Sequence, residues 1–297
     1  MTKNKIFKKD GSLTRHRGQF NPEHPGPYEL SRSKVESFIK CPACFWLDRA
    51  KGVKFPSIPS FNINSNTDKL LKRDFDSVRG RKTHSTLTKA GLGHLVPFDH
   101  EDLEKWTNSL HFGLTPRHFN TLHEETNILF GGGLDDVLQN QDTGELHIVD
   151  FKSTSNQSNE PYRVNLEGQW KASYKRQMDM YIWLMRRKGF ETSDIGYFVY
   201  VDGLHDGING MLESKQNAID LPKDYAPMES LYDQNGVMYF GLAVLEYEAN
   251  TAWVPQALKE IKECLTMSSC PVHTEGCEYA QFLNQTFKAT ELRGPSL

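Results

Sequence analysis

The chain has 297 residues, 37% of them hydrophobic and 25% charged, enough to build the core of one large domain. Its 35 Lys and Arg against 38 Asp and Glu leave a net charge of −3, which excludes a uniformly basic nucleic-acid binder and leaves only local basic faces. No apolar run reaches roughly eighteen residues, the length of a membrane span, and the opening "MTKNKIFKKDGSLTRHRGQF" has no secretory apolar core, so a cytoplasmic location is expected.

Residues 1–28 are polar, hold Pro22, Pro25 and Pro27, and set six basic residues from Lys3 to Arg17 against Asp10; they read as a flexible basic tail. Residues 29–297 are expected to form a single domain. "LSRSKVESFIKCPACFWLDRAKG" starts with a serine cap and reads as a short helix. "PSIPSFNINSN" reads as a loop, and "TDKLLKRDFDSVR" as a helix that Gly80 ends. Residues 101–110 are expected to hold another short helix. "ETNILFGGGLDDVLQN" and "GELHIVDFK" read as a β-hairpin around "NQDTG", followed by a polar loop over 153–166. In the helix "EGQWKASYKRQMDMYIWLMRRKG", Trp170, Tyr174, Met178, Tyr181, Ile182 and Met185 share one stripe. "DIGYFVYVDG" and "VMYFGLAVLEYEA" read as strands. "TAWVPQALKEIKECL" reads as a helix that turns Val254, Ala257, Ile261 and Leu265 inward. Central strands with helices before, between and after them predict an α/β fold.

The strand "ELHIVDFKST" carries the chemistry. Asp150 and Lys152 interrupt it two residues apart and so share a face. In the hairpin, Asp135 or Asp136 of the neighbouring strand comes beside Asp150. The preceding Gly131-Gly132-Gly133 permits a bulge or a close approach there. Two adjacent carboxylates repel unless a cation binds between them, and Mg2+ or Mn2+ suits oxygen ligands. Lys152 would position or deprotonate a water, or steady charge building on a phosphate. Such a set of groups serves phosphodiester hydrolysis.

"GGGLDDV", "IVDFKST" and "QMDMY", in that order, resemble the PD-(D/E)XK nuclease superfamily, and its RecB-like branch in particular. "LSRSKVESFIKCPACFWL" is similar to the start of that branch, so the resemblance spans about residues 30–285. It implies a restriction-endonuclease-like core, a central mixed β-sheet flanked by helices. It also implies a Mg2+- or Mn2+-dependent deoxyribonuclease, with endo- or exonuclease action left open. Asp135 and Asp150 would hold the metal and Lys152 would be the catalytic lysine, with Gln177 and Tyr181 near the active site and the DNA. A register error of one residue would exchange Asp135 with Asp136. A further acid is expected from the helix before the hairpin. Asp68 stands where the branch often has a histidine, whereas Asp74 falls within the apolar stripe of Leu70, Leu71, Phe75 and Val78, so both remain candidates. Arg79, Arg81 and Lys82, and Lys171, Lys175 and Arg176, would track the nucleic-acid backbone. A helicase or other repair or defence subunit would be a separate partner. The alternative is a non-catalytic nucleic-acid-binding or scaffold subunit that keeps the fold.

The five cysteines argue against a disulfide framework in a cytosolic chain. Cys264 lies on an apolar helix stripe and reads as core. RecB-like nucleases with an iron–sulfur cluster take cysteines from both ends of the domain. By that resemblance Cys41, Cys44 and Cys277 are ligands, with Cys270 or His273 as the fourth, because Ala280 stands where the last cysteine would be. Such a set would hold an iron–sulfur cluster or Zn2+.

Overall fold

The apolar runs assemble into two sheets in the computed structural model, which describes residues 6–56, 62–155, 164–205 and 238–290. The larger sheet has the order β2 (Leu95–Pro97), β5 (Asp136–Asn140), β6 (Leu146–Thr154), β7 (Ile195–Leu204) and β8 (Tyr239–Glu248). Strands β6 and β7 pair in parallel, joined through helix α6 (Gln169–Arg187), and the other pairs are antiparallel. The expected mixed sheet with flanking helices is therefore present. The smaller sheet sets β4 (Ile128–Gly131) between β1 (Tyr28–Ser31) and β3 (Asn120–His123).

Both faces of the larger sheet are covered, which is why its central strands are apolar almost without alternation. On one face, Val149 and Phe151 pack with Leu71 and Phe75 of α3 (Asn62–Asp76) and Leu87 of α4 (Ser85–Lys89). On the other, Ile148 and Phe198 pack against α6 and against α7 (Trp253–Thr266). Each fully buried phenylalanine of this kind contributes roughly 1.5–3 kcal/mol. The alternation of β6 thus turns Asp150 and Lys152 toward α6, and Phe151 and Ser153 toward α3. Helix α5 (Leu103–Thr107) buries Trp106, and α8 (Glu278–Thr290) ends the described chain. No helix among the described residues is long and apolar enough to cross a membrane.

Several elements differ from expectation. The strand expected over 125–140 is broken into β4 and β5, which belong to different sheets. The break falls on the glycine run because the chain there threads between neighbours. A Cβ on Gly131 would lie 2.8 Å from the Phe119 carbonyl oxygen, and one on Gly132 would lie 2.7 Å from the Tyr181 ring. The single helix expected from Ser31 is two, α1 (Arg32–Lys40) and α2 (Pro42–Arg49), because Pro42 forces Cys41 into an extended conformation. Trp170, expected on the inward stripe, is exposed in the first turn of α6. Helix α3 starts within the expected loop, at Asn62. Part of the stretch expected as a loose tail packs on the domain: Phe20 is buried and His16 stacks on His24 and bridges to Tyr28, while residues 7–13 are exposed. Lys3 and Lys5 of that tail, and residues 156–163 of the expected polar loop, lie outside the described residues.

Candidate active site

Strand β6 carries Asp150 into the interior, where it is 1% exposed. Its Oδ1 accepts a hydrogen bond from Gln177 Nε2 on α6, and its Oδ2 contacts the Lys152 ammonium. The second contact is one of charge only, because no donor is aligned with Oδ2 among its neighbours. Burial pushes the Asp150 carboxyl well above the usual carboxylate range; Lys152 opposes this and the nearby Asp135 adds to it. Lys152 also donates to Gln177 Oε1 at 3.4 Å and lies 4.7 Å above the Tyr174 ring. Gln177 thus binds both the acid and the amine.

Asp135 reaches the same strand from the turn between β4 and β5. Its Oδ2 accepts the backbone N–H of Phe151 at 2.8 Å, one residue beyond Asp150. Its Oδ1 lies 3.4 Å from Lys72 Nζ, which is also 3.1 Å from Asp68 Oδ2. Helix α3 is held over this strand by the Thr67–Ser153 hydroxyl pair and by the Phe75 ring on Phe151. Burial and then Asp135 raise the Asp68 pKa. Burial alone would lower the Lys72 ammonium, but the two carboxylates outweigh it and raise its pKa. Asp68 is therefore the helical acid that joins the group. Asp74 lies exposed on the other flank of the buried Thr67–Leu71–Phe75 ridge, away from Asp135, and is not brought to the site.

Asp136 points the opposite way, as successive residues of an extended chain do. It is fully buried, and Arg79 grips both its oxygens at 2.9 Å while Val137 N donates to Oδ1. The register between Asp135 and Asp136 is settled by this ion pair. The same pair withdraws Arg79 from the expected nucleic-acid contacts; its guanidinium also holds Asp76 and the Phe98 carbonyl. Arg176 is likewise tied to Glu36 through two hydrogen bonds. Lys171 lies closer to the acids' side, with Nζ 3.2 Å from Tyr200 Oη, and Lys175 lies 5.9 Å over the Tyr247 ring. Arg81 bonds the Ser77 carbonyl, and Lys82 is exposed; both stand beyond α3, after Asp76.

Tyr181 is buried four residues after Gln177, with its ring against Gly132 and edge-on to Phe119. Burial pushes its hydroxyl up to about 12, and the charge of nearby Arg32 opposes that rise. Arg32 also acts electrostatically on Asp150. Sequence reasoning missed this residue. Its signal was a cation in the first turn of a helix, where the macrodipole disfavours positive charge unless an acid lies near.

A second cluster lies where the two ends of the chain meet. Cys41, Cys44, His273 and Cys277 bring their ligand atoms within 4.8 Å of one another. Of the two candidates for the fourth position, the structure brings in His273, while Cys270 is exposed and apart. Cys264 is buried against the Pro42 carbonyl, as expected of a core thiol.

Asp135, Asp150 and Asp68 come from a turn, a strand and a helix toward one end of the mixed sheet, where Lys72 pairs with Asp68 and Asp135 and Lys152 pairs with Asp150. Such oxygens are the donors hard divalent cations take, but among the described residues the ligand atoms that converge within 4.8 Å are those of the cysteine–histidine cluster. Asp150 Oδ2, buried with no aligned donor, is one such oxygen. The family model of the PD-(D/E)XK nuclease superfamily matches residues 29–282, and the chain belongs to that superfamily. Membership supports a nuclease-type function with divalent metal and a nucleic-acid substrate. No curated protein and no solved structure matches the chain.

Proposed function

We propose that the protein is a Mg2+- or Mn2+-dependent deoxyribonuclease of the RecB-like kind. The observation that carries this reading is the hydrogen bond from Phe151 N to Asp135, which sets a second carboxylate beside Asp150 and Lys152. Asp135, Asp150 and Asp68 would hold the metal. When bound, the ion supplies Lewis acidity toward a phosphate oxygen and a water. Lys152, half-enclosed by Tyr174 and Gln177, places a positive charge or a proton donor where charge builds on the phosphate. Gln177 keeps Asp150 and Lys152 in register. Tyr181 fills the space that Gly132 leaves and so positions the turn that bears Asp135. Lys171 and Lys175 on α6 offer phosphate contacts. A helicase or other repair or defence subunit is the partner class this reading implies.

The test is Asp150→Ala and Lys152→Ala, assayed on linear and circular DNA, single- and double-stranded, with Mg2+ or Mn2+. Loss of cleavage in both variants is expected. Parental activity in either one removes the mechanism, and metal-independent binding without cleavage by the parent protein would favour a scaffold role instead.

A further inference from the structure

The spacing of the Cys41–Cys44–His273–Cys277 cluster distinguishes between the metals that thiolates hold. Sulfur to nitrogen, His273 Nδ1 lies 3.4 Å from Cys41, 3.6 Å from Cys44 and 3.6 Å from Cys277. Sulfur to sulfur, Cys44 and Cys277 are 3.5 Å apart. A tetrahedral zinc with ordinary bond lengths sets thiolates about 3.8 Å apart, and a thiolate and an imidazole nitrogen about 3.6 Å apart. In a four-iron cluster each thiolate binds a different corner, which spreads the sulfurs to roughly 6 Å. A two-iron cluster brings two ligands together on each iron but separates the two pairs. All four ligand atoms lie within 4.8 Å, a spacing that suits one ion and no cluster.

The local backbone agrees. Pro42 breaks the helix at Cys41 and leaves α2 to present Cys44 one turn on. His273 and Cys277 are four residues apart on the turn that enters α8, so both reach one point.

We propose that Cys41, Cys44, His273 and Cys277 bind a single zinc ion that clasps the two ends of the chain, in place of an iron–sulfur cluster. Four protein ligands leave no open position, so the ion is structural and takes no part in hydrolysis. It joins the start of α2 to a segment more than two hundred residues later, and through α1 it steadies Arg32 and the Glu36–Arg176 pair beside the active site.

The experiment is metal analysis of the full chain, purified with and without exclusion of air, together with Asp150→Ala, Cys277→Ser, His273→Ala and Cys270→Ser. The expected result is about one zinc per chain and no acid-labile sulfide, unchanged in Asp150→Ala and Cys270→Ser and lost in the other two. Cobalt(II) exchanged into the parent protein should give the intense visible absorption of a tetrahedral thiolate site, abolished by zinc; this holds even if the ligand variants fail to fold. Stoichiometric iron with labile sulfide overturns the proposal. So does zinc retained in Cys277→Ser, or no metal in protein made with zinc supplied. The count needs no DNA, so an inactive protein with one zinc would sink the nuclease reading alone.

Discussion

Asp135 Oδ2 accepts the Phe151 N–H at 2.8 Å, so a candidate metal ligand is also a structural pin between the glycine turn and β6. The two roles separate chemically. Asp135→Asn keeps an oxygen for that N–H but loses the anion; Asp135→Ala loses both. Both variants should lose metal-dependent cleavage. Only Asp135→Ala should also lose stability, by about 1 kcal/mol, read as a lower melting temperature.

Asp150 carries a cost in the folded protein. Its folded-state pKa lies above the ordinary carboxylate value, because burial disfavours the charge. The folded chain therefore holds that proton more tightly than the unfolded chain. The resulting stability is fully present below the ordinary carboxylate pKa and is lost as pH rises through the raised one. At neutral pH without added divalent ions, Asp150→Asn should melt about 2–4 °C above the parent. Mn2+ should raise the parent's melting temperature and leave the variant's unchanged. A variant that melts below the parent would contradict this.

Arg79 and the basic residues of α6 should part company. Arg79→Met leaves the Asp136 carboxylate buried and alone, which costs about 3–5 kcal/mol. It should unfold at clearly lower denaturant. Lys171→Ala and Lys175→Ala should leave stability near the parent's. Each should weaken DNA binding and lower the slope of log affinity against log salt by about 1. Equal slopes in parent and variants would remove these lysines from the nucleic-acid face.

Burial holds the His16 imidazole down at about 4. Its Nδ1 faces the Gly26 carbonyl and its Nε2 accepts the Asn21 N–H, so a second ring proton has no acceptor. The unfolded chain takes that proton first, near the ordinary 6.5, so stability is lost as pH falls from there toward about 4. The hydrogen-exchange protection factors of residues 16–28, which correct for the intrinsic slowing of exchange as pH falls, should drop over that window in the parent and not in His16→Phe.

The Asp-x-Lys face was legible because a strand's side chains alternate strictly. The spacing of Gln177 and Tyr181 showed only that they share a helical face; that this face meets Asp150 and Lys152 came from the family resemblance. The choice between Asp135 and Asp136 was not, since it rests on Arg79, 57 residues away from Asp136 in the chain. Asp68 and Asp74 flank one buried ridge on opposite sides, and a helical wheel does not say which flank meets the sheet end. The strands β1 to β3 span three or four residues each, too few for a periodicity to show. Cys270 and His273 were equal on spacing; the path of the chain into α8 separated them.

Gln177 gives the centre a sense of direction. Its amide is a two-ended key, with hydrogens toward the Asp150 acid and oxygen toward the Lys152 amine. Turned over, it would set like against like at both ends at once. An isosteric Gln177→Glu exchange would do the same at the acid's end, so a swap of one atom type would scramble a lock that the backbone had left untouched.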